Sequence, residues 1–137
     1  MAKKRIQLHK LVQQAERLGQ RNPLRARKSQ LESIYDSINR AVFNGVLERP
    51  RFILRSQDSN KWDCWGEIEI GYRGHRHGPR RTFAIRFARK FPNMKFMINT
   101  VAHEMVHQWE WERNGRCDHG QNFYAWNERL SNRGLRL

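Results

Sequence analysis

The fold and the chemistry of this chain are best predicted from one stretch, Val101-Ala102-His103-Glu104-Met105-Val106-His107. If the stretch is helical, His103 and His107 lie one turn apart on the same helix face. Two imidazoles at that spacing can both direct a ring nitrogen at one zinc ion, at about 2.0–2.1 Å. Glu104 then lies beside the ion without binding it, where it can take a proton from a metal-bound water. The stretch therefore predicts a metal-dependent hydrolase site.

The residues around this stretch predict an amphipathic helix. Apolar side chains recur at i, i+3 and i+4 spacing, at Ile98, Val101, Met105 and Trp109. We expect the helix to start after Phe91-Pro92-Asn93 and to end at Asn114-Gly115, because glycine accepts the left-handed conformation that closes helices. The alternative is a helix whose two histidines are solvated or hydrogen-bonded and bind nothing.

A catalytic zinc site usually has three protein ligands and one position open to water. His119 follows the predicted helix end after a short turn, where the chain could fold back toward the first two histidines. The metzincin spacing requires glycine and histidine at positions that Glu110 and Arg113 occupy, which excludes that class.

Two other residues compete with His119 for the third position. Glu128 lies in a segment, residues 127–132, that resembles the glutamate helix of gluzincins. On a regular helix Glu128 points about 200° away from Trp126, so it faces away from the apolar stripe, which favours His119. Cys117 could bind zinc as a thiolate, but we favour a simple buried or surface thiol. His75 and His77, in a glycine-rich loop, are expected to be exposed or to contact phosphate.

The motif residues resemble one known family. His103-Glu104-Met105-Val106-His107 followed by His119-Gly120-Gln121-Asn122-Phe123 is similar to the SprT-like (Spartan-type) metalloprotease domain. The upstream residues Tyr35, Ile38-Asn39, Phe43-Asn44-Gly45 and Leu47 resemble a helix of that family, so the similarity spans roughly residues 31–127.

The resemblance implies an α+β zincin-like fold with N-terminal helices, a small three-stranded sheet, the HExxH helix and a closing C-terminal helix. It also implies one Zn²⁺ ion bound by His103, His107 and His119, with Glu104 as the catalytic acid and base. The implied activity is proteolysis of DNA-bound and DNA-crosslinked proteins. One departure is that many bacterial members add a zinc ribbon with paired cysteines, whereas this sequence contains only Cys64 and Cys117.

The charge of the chain predicts a polyanionic partner. The net charge is +14, which favours nucleic acid, with DNA expected and RNA left open. No acidic residue occurs between Glu69 and Glu104, and this stretch carries the arginines that we expect to contact phosphate, Arg73, Arg76, Arg80 and Arg81. A second basic stretch surrounds the predicted turn at Asn22-Pro23 and contains Arg17, Arg21, Arg25, Arg27 and Lys28. From this stretch we expect a second group, Arg25, Arg27 and Lys28, to contact phosphate. The alternative is that both groups are only solvated surface.

The remaining pattern predicts the other elements. Leu8, Leu11, Ala15 and Leu18 indicate an N-terminal helix that packs on the domain or on a partner. Ser29-Gln30-Leu31-Glu32 fits a capping box at the start of a second helix, which ends at Asn44-Gly45. Strands are expected over residues 51–55, 64–70 and 82–87, a polar loop over 56–63, and one final helix of about three turns that buries Phe123, Trp126 and Leu130.

These observations predict a basic N-terminal helix and linker over residues 1–28 and an SprT-like domain over residues 29–137. We expect a zinc metalloendopeptidase that is cytoplasmic, associated with nucleic acid, monomeric and not bound to membranes. The alternative function is a non-catalytic nucleic-acid-binding module with a structural zinc. A structural site normally has a fourth protein ligand, and Cys117 is the nearby candidate.

Overall fold

The computed structural model describes residues 6–55 and 65–137. The elements in chain order are α1 Leu8–Leu18, β1 Leu24–Arg25, α2 Lys28–Val42, β2 Arg51–Leu54, β3 Gly66–Tyr72, β4 Arg80–Phe87, β5 Lys90–Phe91, α3 Met94–Asn114, α4 Gln121–Tyr124 and α5 Asn127–Ser131. The fold is therefore α+β. The predicted loop over residues 56–63 and the predicted strand position of Cys64 lie outside the described residues.

The two N-terminal helices pack on each other and on α3. Helix α1 buries Leu8, Leu11 and Ala15, so its apolar stripe faces the domain. Helix α2 starts at Lys28, after Arg27 in an extended conformation, and no side chain caps it. The predicted capping box at Ser29 is therefore wrong. The reason is tertiary: the chain just before the helix pairs with β5, which keeps it extended as far as Arg27.

The predicted three-stranded sheet is present, in the order β2-β4-β3. Strands β2 and β4 are parallel, whereas β3 and β4 form an antiparallel hairpin in which Ile68 faces Ile85. Strand β3 is an edge strand that packs on α3. A second ladder of two residues per strand, β1 with β5, escaped prediction because two residues carry no periodicity.

Helix α3 is the central element of the core. Ile98, Val101 and Met105 are fully buried, as the periodicity predicts, and Trp109 is partly buried. The helix begins at Asn93, whose side chain accepts a hydrogen bond from Phe96 N, and ends at Gly115 in the left-handed conformation. Buried side chains from both halves of the described chain form a single cluster around it. Within the described residues, no helix has the length and apolarity needed to cross a membrane.

The closing segment differs from the single helix that the sequence predicts. It forms two short helices, α4 and α5, although Phe123, Trp126 and Leu130 are all buried as expected. The interruption lies at Trp126, whose backbone N–H bonds to Phe123 O, three residues back, instead of four. Trp126 Nε1 donates a hydrogen bond of 3.1 Å to Glu110 Oε1 on α3. The centroid of the Trp126 ring lies 4.9 Å from that of the Phe43 ring. These contacts fix the position of Trp126 and tighten the turn around it.

Candidate metal centre

Three histidines converge at the middle of α3. His103 and His107 lie one turn apart on the helix, and His119 reaches them from the segment that follows. His119 Nε2 lies 2.9 Å from His107 Nε2 and 3.2 Å from His103 Nε2. Ligand atoms this close, all within 4.8 Å of one another, could hold one metal ion.

The position of His119 depends on how the chain leaves α3. Gly115, at φ +67°, reverses the chain, and the N–H groups of Gly115 and Arg116 bond to the last turn of the helix. Asp118 Oδ1 then accepts a hydrogen bond from Gly120 N at 3.0 Å. This contact between residues two apart shapes the turn that carries His119.

One aromatic ring supports all three imidazoles. Phe123 is 1 % exposed, and its ring centroid lies 4.6 Å from that of His107, with the two rings nearly parallel. The same ring lies 4.9 Å from the ring of His103 and 4.9 Å from that of His119. The periodicity predicts that Phe123 is buried, and the resemblance places it in the family motif, but neither reveals its contact with every candidate ligand.

The protonation of the metal-free site favours metal binding. Burial, and then the repulsion from His119, lower the pKa of His103 to about 4. Burial also lowers the pKa of His107 to about 4, with smaller contributions from the other two histidines. Near neutral pH both rings are therefore uncharged and keep their lone pairs. Three imidazoles are a donor set that suits zinc and other first-row transition metals.

Glu104 is buried beside these histidines, with 4 % of its surface exposed. Burial raises the pKa of Glu104 to about 8, the negative charge of Glu67 adds to the rise, and Arg55 opposes it. Gly66 at the start of β3 lies directly against this carboxyl group. A Cβ atom on Gly66 would lie 3.1 Å from Glu104 Cγ and 3.3 Å from its Oε1. The sequence analysis missed Gly66, although a glycine inside a strand pattern is a known sign of close backbone approach.

A cleft of about 400 Å³ opens beside the candidate centre. Its wall includes His103, Glu104 and His119. The wall also includes Trp65 and Phe96, whose rings pack edge to face with their centroids 5.0 Å apart. The cleft therefore gives a molecule from outside access to the histidines and to the buried carboxyl group at the same time.

The competing ligands lie elsewhere. Glu128 is exposed on α5, and Cys117 is exposed in the turn before His119. Within the part of the chain that the structure describes, the group that could bind a metal ion contains the three histidines and neither of these residues. His75 and His77 are exposed on the loop between β3 and β4.

The predicted nucleic-acid residues occupy two separate parts of the fold, and all are exposed. Arg73 and Arg76 lie on the loop between β3 and β4, and Arg81 lies in β4 near the Phe83 ring. Arg80 has a structural contact: its guanidinium donates to Trp111 O and Arg113 O at the end of α3. The second group comprises Arg25 in β1, Arg27 just before α2 and Lys28 at its start.

The raised pKa of Glu104 predicts how the stability of the metal-free protein depends on pH. A carboxyl group whose pKa rises from 4.5 to about 8 on folding contributes stability below pH 4.5 that is lost as the pH rises through 8. Glutamine does not titrate, so metal-free Glu104→Gln should gain about 2–4 kcal/mol relative to the parent between pH 5 and pH 9. Urea unfolding of both chelator-treated proteins at the two pH values measures this gain. All other side chains are the same in both proteins and their contributions cancel, so a difference that does not change with pH would contradict the prediction.

The family comparison is consistent with the geometry of the candidate metal centre. The fold and the centre are those of an α+β domain that could bind a metal ion through three imidazoles. The chain matches the model of the SprT-like family over residues 31–136, and it belongs to that family. Membership indicates a metalloprotease-type domain, with which the three-histidine group is consistent. Searches of curated proteins and of solved structures find no significant match.

Proposed function

We propose that the protein is a zinc-dependent metalloendopeptidase that acts on proteins bound or crosslinked to DNA. The observation that supports this most directly is the combination of three converging Nε2 atoms with a buried glutamate on the wall of an open cleft. Bound there by His103, His107 and His119, zinc would polarise the scissile carbonyl and lower the pKa of a water molecule. The rival function, a structural zinc, is less well supported, because within the described chain the candidate fourth ligand Cys117 is not among the converging ligand atoms.

The side chains supply the proton transfers. Glu104 takes the proton of the attacking water and returns it to the leaving amine. Its burial keeps this carboxyl group out of bulk water, which strengthens its interactions with whatever enters the cleft. The neutral state of His103 and His107 keeps their Nε2 atoms available as ligands instead of as acids.

Strand β3 is the proposed binding site for the substrate backbone. In the described sheet β3 has β4 as a neighbour on one side only, so its other edge can pair with an extended peptide. Gly66, at one end of this edge, touches Glu104, so a peptide bound along β3 would pass directly by the catalytic carboxyl group. Glycine at position 66 allows the strand to approach Glu104 this closely.

Nucleic acid is the proposed means of selecting substrates. A net charge of +14 concentrates the protein on DNA, where it meets mainly DNA-bound proteins. The exposed arginines of the β3–β4 hairpin, Arg73, Arg76 and Arg81, are candidates for phosphate contacts. Arg80 is a weaker candidate because its guanidinium already binds the carbonyl groups at the end of α3.

Digestion of a DNA-binding protein, with and without DNA, tests this function. We expect cleavage that requires metal, is lost on adding a chelator, and is faster on DNA. If about six phosphates are contacted, affinity for DNA should fall roughly a thousandfold or more between 50 and 200 mM salt. Cleavage of the DNA-bound substrate should fall in parallel, whereas hydrolysis of a short free peptide should hardly change.

A matched pair of variants tests whether DNA binding depends on the arginines of the β3–β4 hairpin. The hairpin variant Arg73→Gln, Arg76→Gln, Arg81→Gln should imitate high salt, and Arg80 is kept because it caps α3. The matched control variant, Lys10→Gln, Arg51→Gln, Arg133→Gln, removes three charges from exposed positions outside both predicted basic groups. If the two variants bind DNA equally well, the hairpin is only solvated surface.

A further inference from the structure

The cleft beside the candidate metal centre contains two aromatic rings that the proposed proton transfers do not use. Trp65 comes directly before β3, and Phe96 lies in the first turn of α3. Both are large apolar side chains, yet 41 % of Trp65 and 37 % of Phe96 is exposed. Both rings pack against the buried ring of Phe91, with centroid distances of 5.8 and 6.3 Å. This pair, which we call the aromatic wall, therefore rests on the core and leaves uncovered apolar surface in the cleft.

Backbone hydrogen bonds hold the aromatic wall in place. Trp65 O accepts from Ala88 N at 2.9 Å, which ties Trp65 to the residue that follows β4. Phe96 N donates to the side chain of Asn93 at 2.7 Å, in the cap that starts α3. The aromatic wall is therefore formed before any ligand arrives, and a ligand that binds to it loses less free energy to ordering the protein.

Two polar side chains next to the aromatic wall already have hydrogen-bond partners. Thr100 Oγ1 donates to Phe96 O at 2.8 Å. Asn99 Oδ1 accepts from Arg136 N at 3.0 Å. The methyl carbon of Thr100 would lie 3.3 Å from a Cβ atom on Gly66, so it faces the start of β3. A polar substrate side chain would therefore give up water here and gain few partners, whereas an apolar one gains from leaving water.

Arg136 adds a positive charge to the lining of the cleft. The residue is exposed, and within the described part of the chain no ion pair involves it. Glu104 supplies the side-chain carboxyl group of the same lining, but this group is buried. A lysine or arginine side chain that entered the cleft would therefore meet a like charge, without an exposed carboxylate on the described lining to offset the repulsion.

We propose that this cleft is a specificity pocket that binds one bulky apolar side chain of the substrate, most tightly an aromatic one, and that disfavours lysine and arginine. The aromatic wall selects the apolar side chain, and Arg136 opposes the basic ones. A peptide bound along β3 passes Gly66 and Glu104, so the selected residue lies beside the scissile bond. The selectivity in cleavage rests on the proposed protease function; the selectivity in binding does not.

Peptides that differ at one residue test the preference in cleavage. Phenylalanine, alanine or lysine is placed next to the cleaved bond, on each side in turn, and kcat/KM is measured for the parent with metal in excess. On one of the two sides we expect kcat/KM for the phenylalanine peptide to exceed that for the alanine peptide by at least about tenfold. The lysine peptide should be cleaved more slowly than the alanine peptide.

Three variants assign this preference to named side chains. Phe96→Ala should remove most of the difference between the phenylalanine and alanine peptides, whereas hydrolysis of the alanine peptide should hardly change. Phe83→Ala is the matched control and should keep the preference, because Phe83 is 38 % exposed but lies in β4, outside the lining of the cleft. Arg136→Gln should speed cleavage of the lysine peptide about fivefold and leave the other two peptides unchanged.

Binding separates the pocket from the protease function. Calorimetry with the metal-loaded Glu104→Gln protein should find that the phenylalanine peptide binds at least about tenfold more tightly than the alanine or lysine peptide. Adding Phe96→Ala to this protein should abolish the difference, and adding Phe83→Ala should not. If binding shows this pattern but the parent cleaves no peptide, the pocket stands and the protease function fails. Peptides that bind equally well or not at all, or a preference that survives Phe96→Ala, would overturn the pocket.

Discussion

Peptide-bond hydrolysis should fall by about 10²–10⁴-fold or more when Glu104 is replaced by glutamine. The expectation follows from the position of this carboxyl group on the cleft wall beside two of the histidines, where it is the buried acid and base of the proposed reaction. Glutamine has nearly the same shape, so it should fill the space against Gly66 without disturbing the strand. The rate of cleavage of a peptide, measured with metal in excess, gives the effect.

The matched control for this variant is Glu67→Gln. Glu67 contributes to the raised pKa of Glu104, but its own side chain is partly exposed. Its Oε1 forms an ion pair of 3.7 Å with a guanidinium nitrogen of Arg86 on the neighbouring strand. Its replacement should leave most of the activity. Elemental analysis should find the same metal content in both variants and in the parent. Full activity in Glu104→Gln would show that another group transfers the proton.

Removal of the third imidazole should have the second largest effect. His119→Ala is expected to lower metal affinity by orders of magnitude, because it removes the one Nε2 atom that lies within 3.2 Å of both other histidines. His119 is exposed, so this change should cost the fold little. Competition with a coloured chelator measures the affinity.

Glu128→Ala is the matched control, and it should bind the metal as tightly as the parent. Glu128 is exposed on α5 and is absent from the group of converging ligand atoms in the described chain. Loss of metal in this variant, with metal retained in His119→Ala, would assign the protein to the gluzincin pattern.

Several elements could be predicted because their determinants are local. The spacing of apolar residues predicted α3, and the two histidines one turn apart follow from helix geometry alone. The third histidine needed the resemblance as well, because spacing left Glu128 open. Its position depends on the chain reversal at Gly115 and on the turn shaped by Asp118, which the sequence suggests but does not orient.

The features that escaped prediction depend on tertiary contacts. The start of α2 is set by pairing with β5, across a long stretch of sequence, and not by Ser29. The break in the closing segment is set by the bond from Trp126 to Glu110 on α3. A run of arginines likewise does not reveal that Arg80 binds the carbonyl groups at the end of α3, or that Arg73 pairs with Glu48 at 3.6 Å.

The candidate metal ligands are close together in the sequence, and this has a consequence for when the ion can bind. All three lie between positions 103 and 119, whereas the core also draws on α1, α2 and the sheet, which supply no ligand. The ion therefore closes only a short ring of chain, and short rings cost little entropy. We expect the core to assemble first and the folded protein to gain or lose its ion afterwards, with only the segment beyond Gly115 loosening. Under the proposed function, metal supply would then switch the activity on and off without any need to fold the protein again.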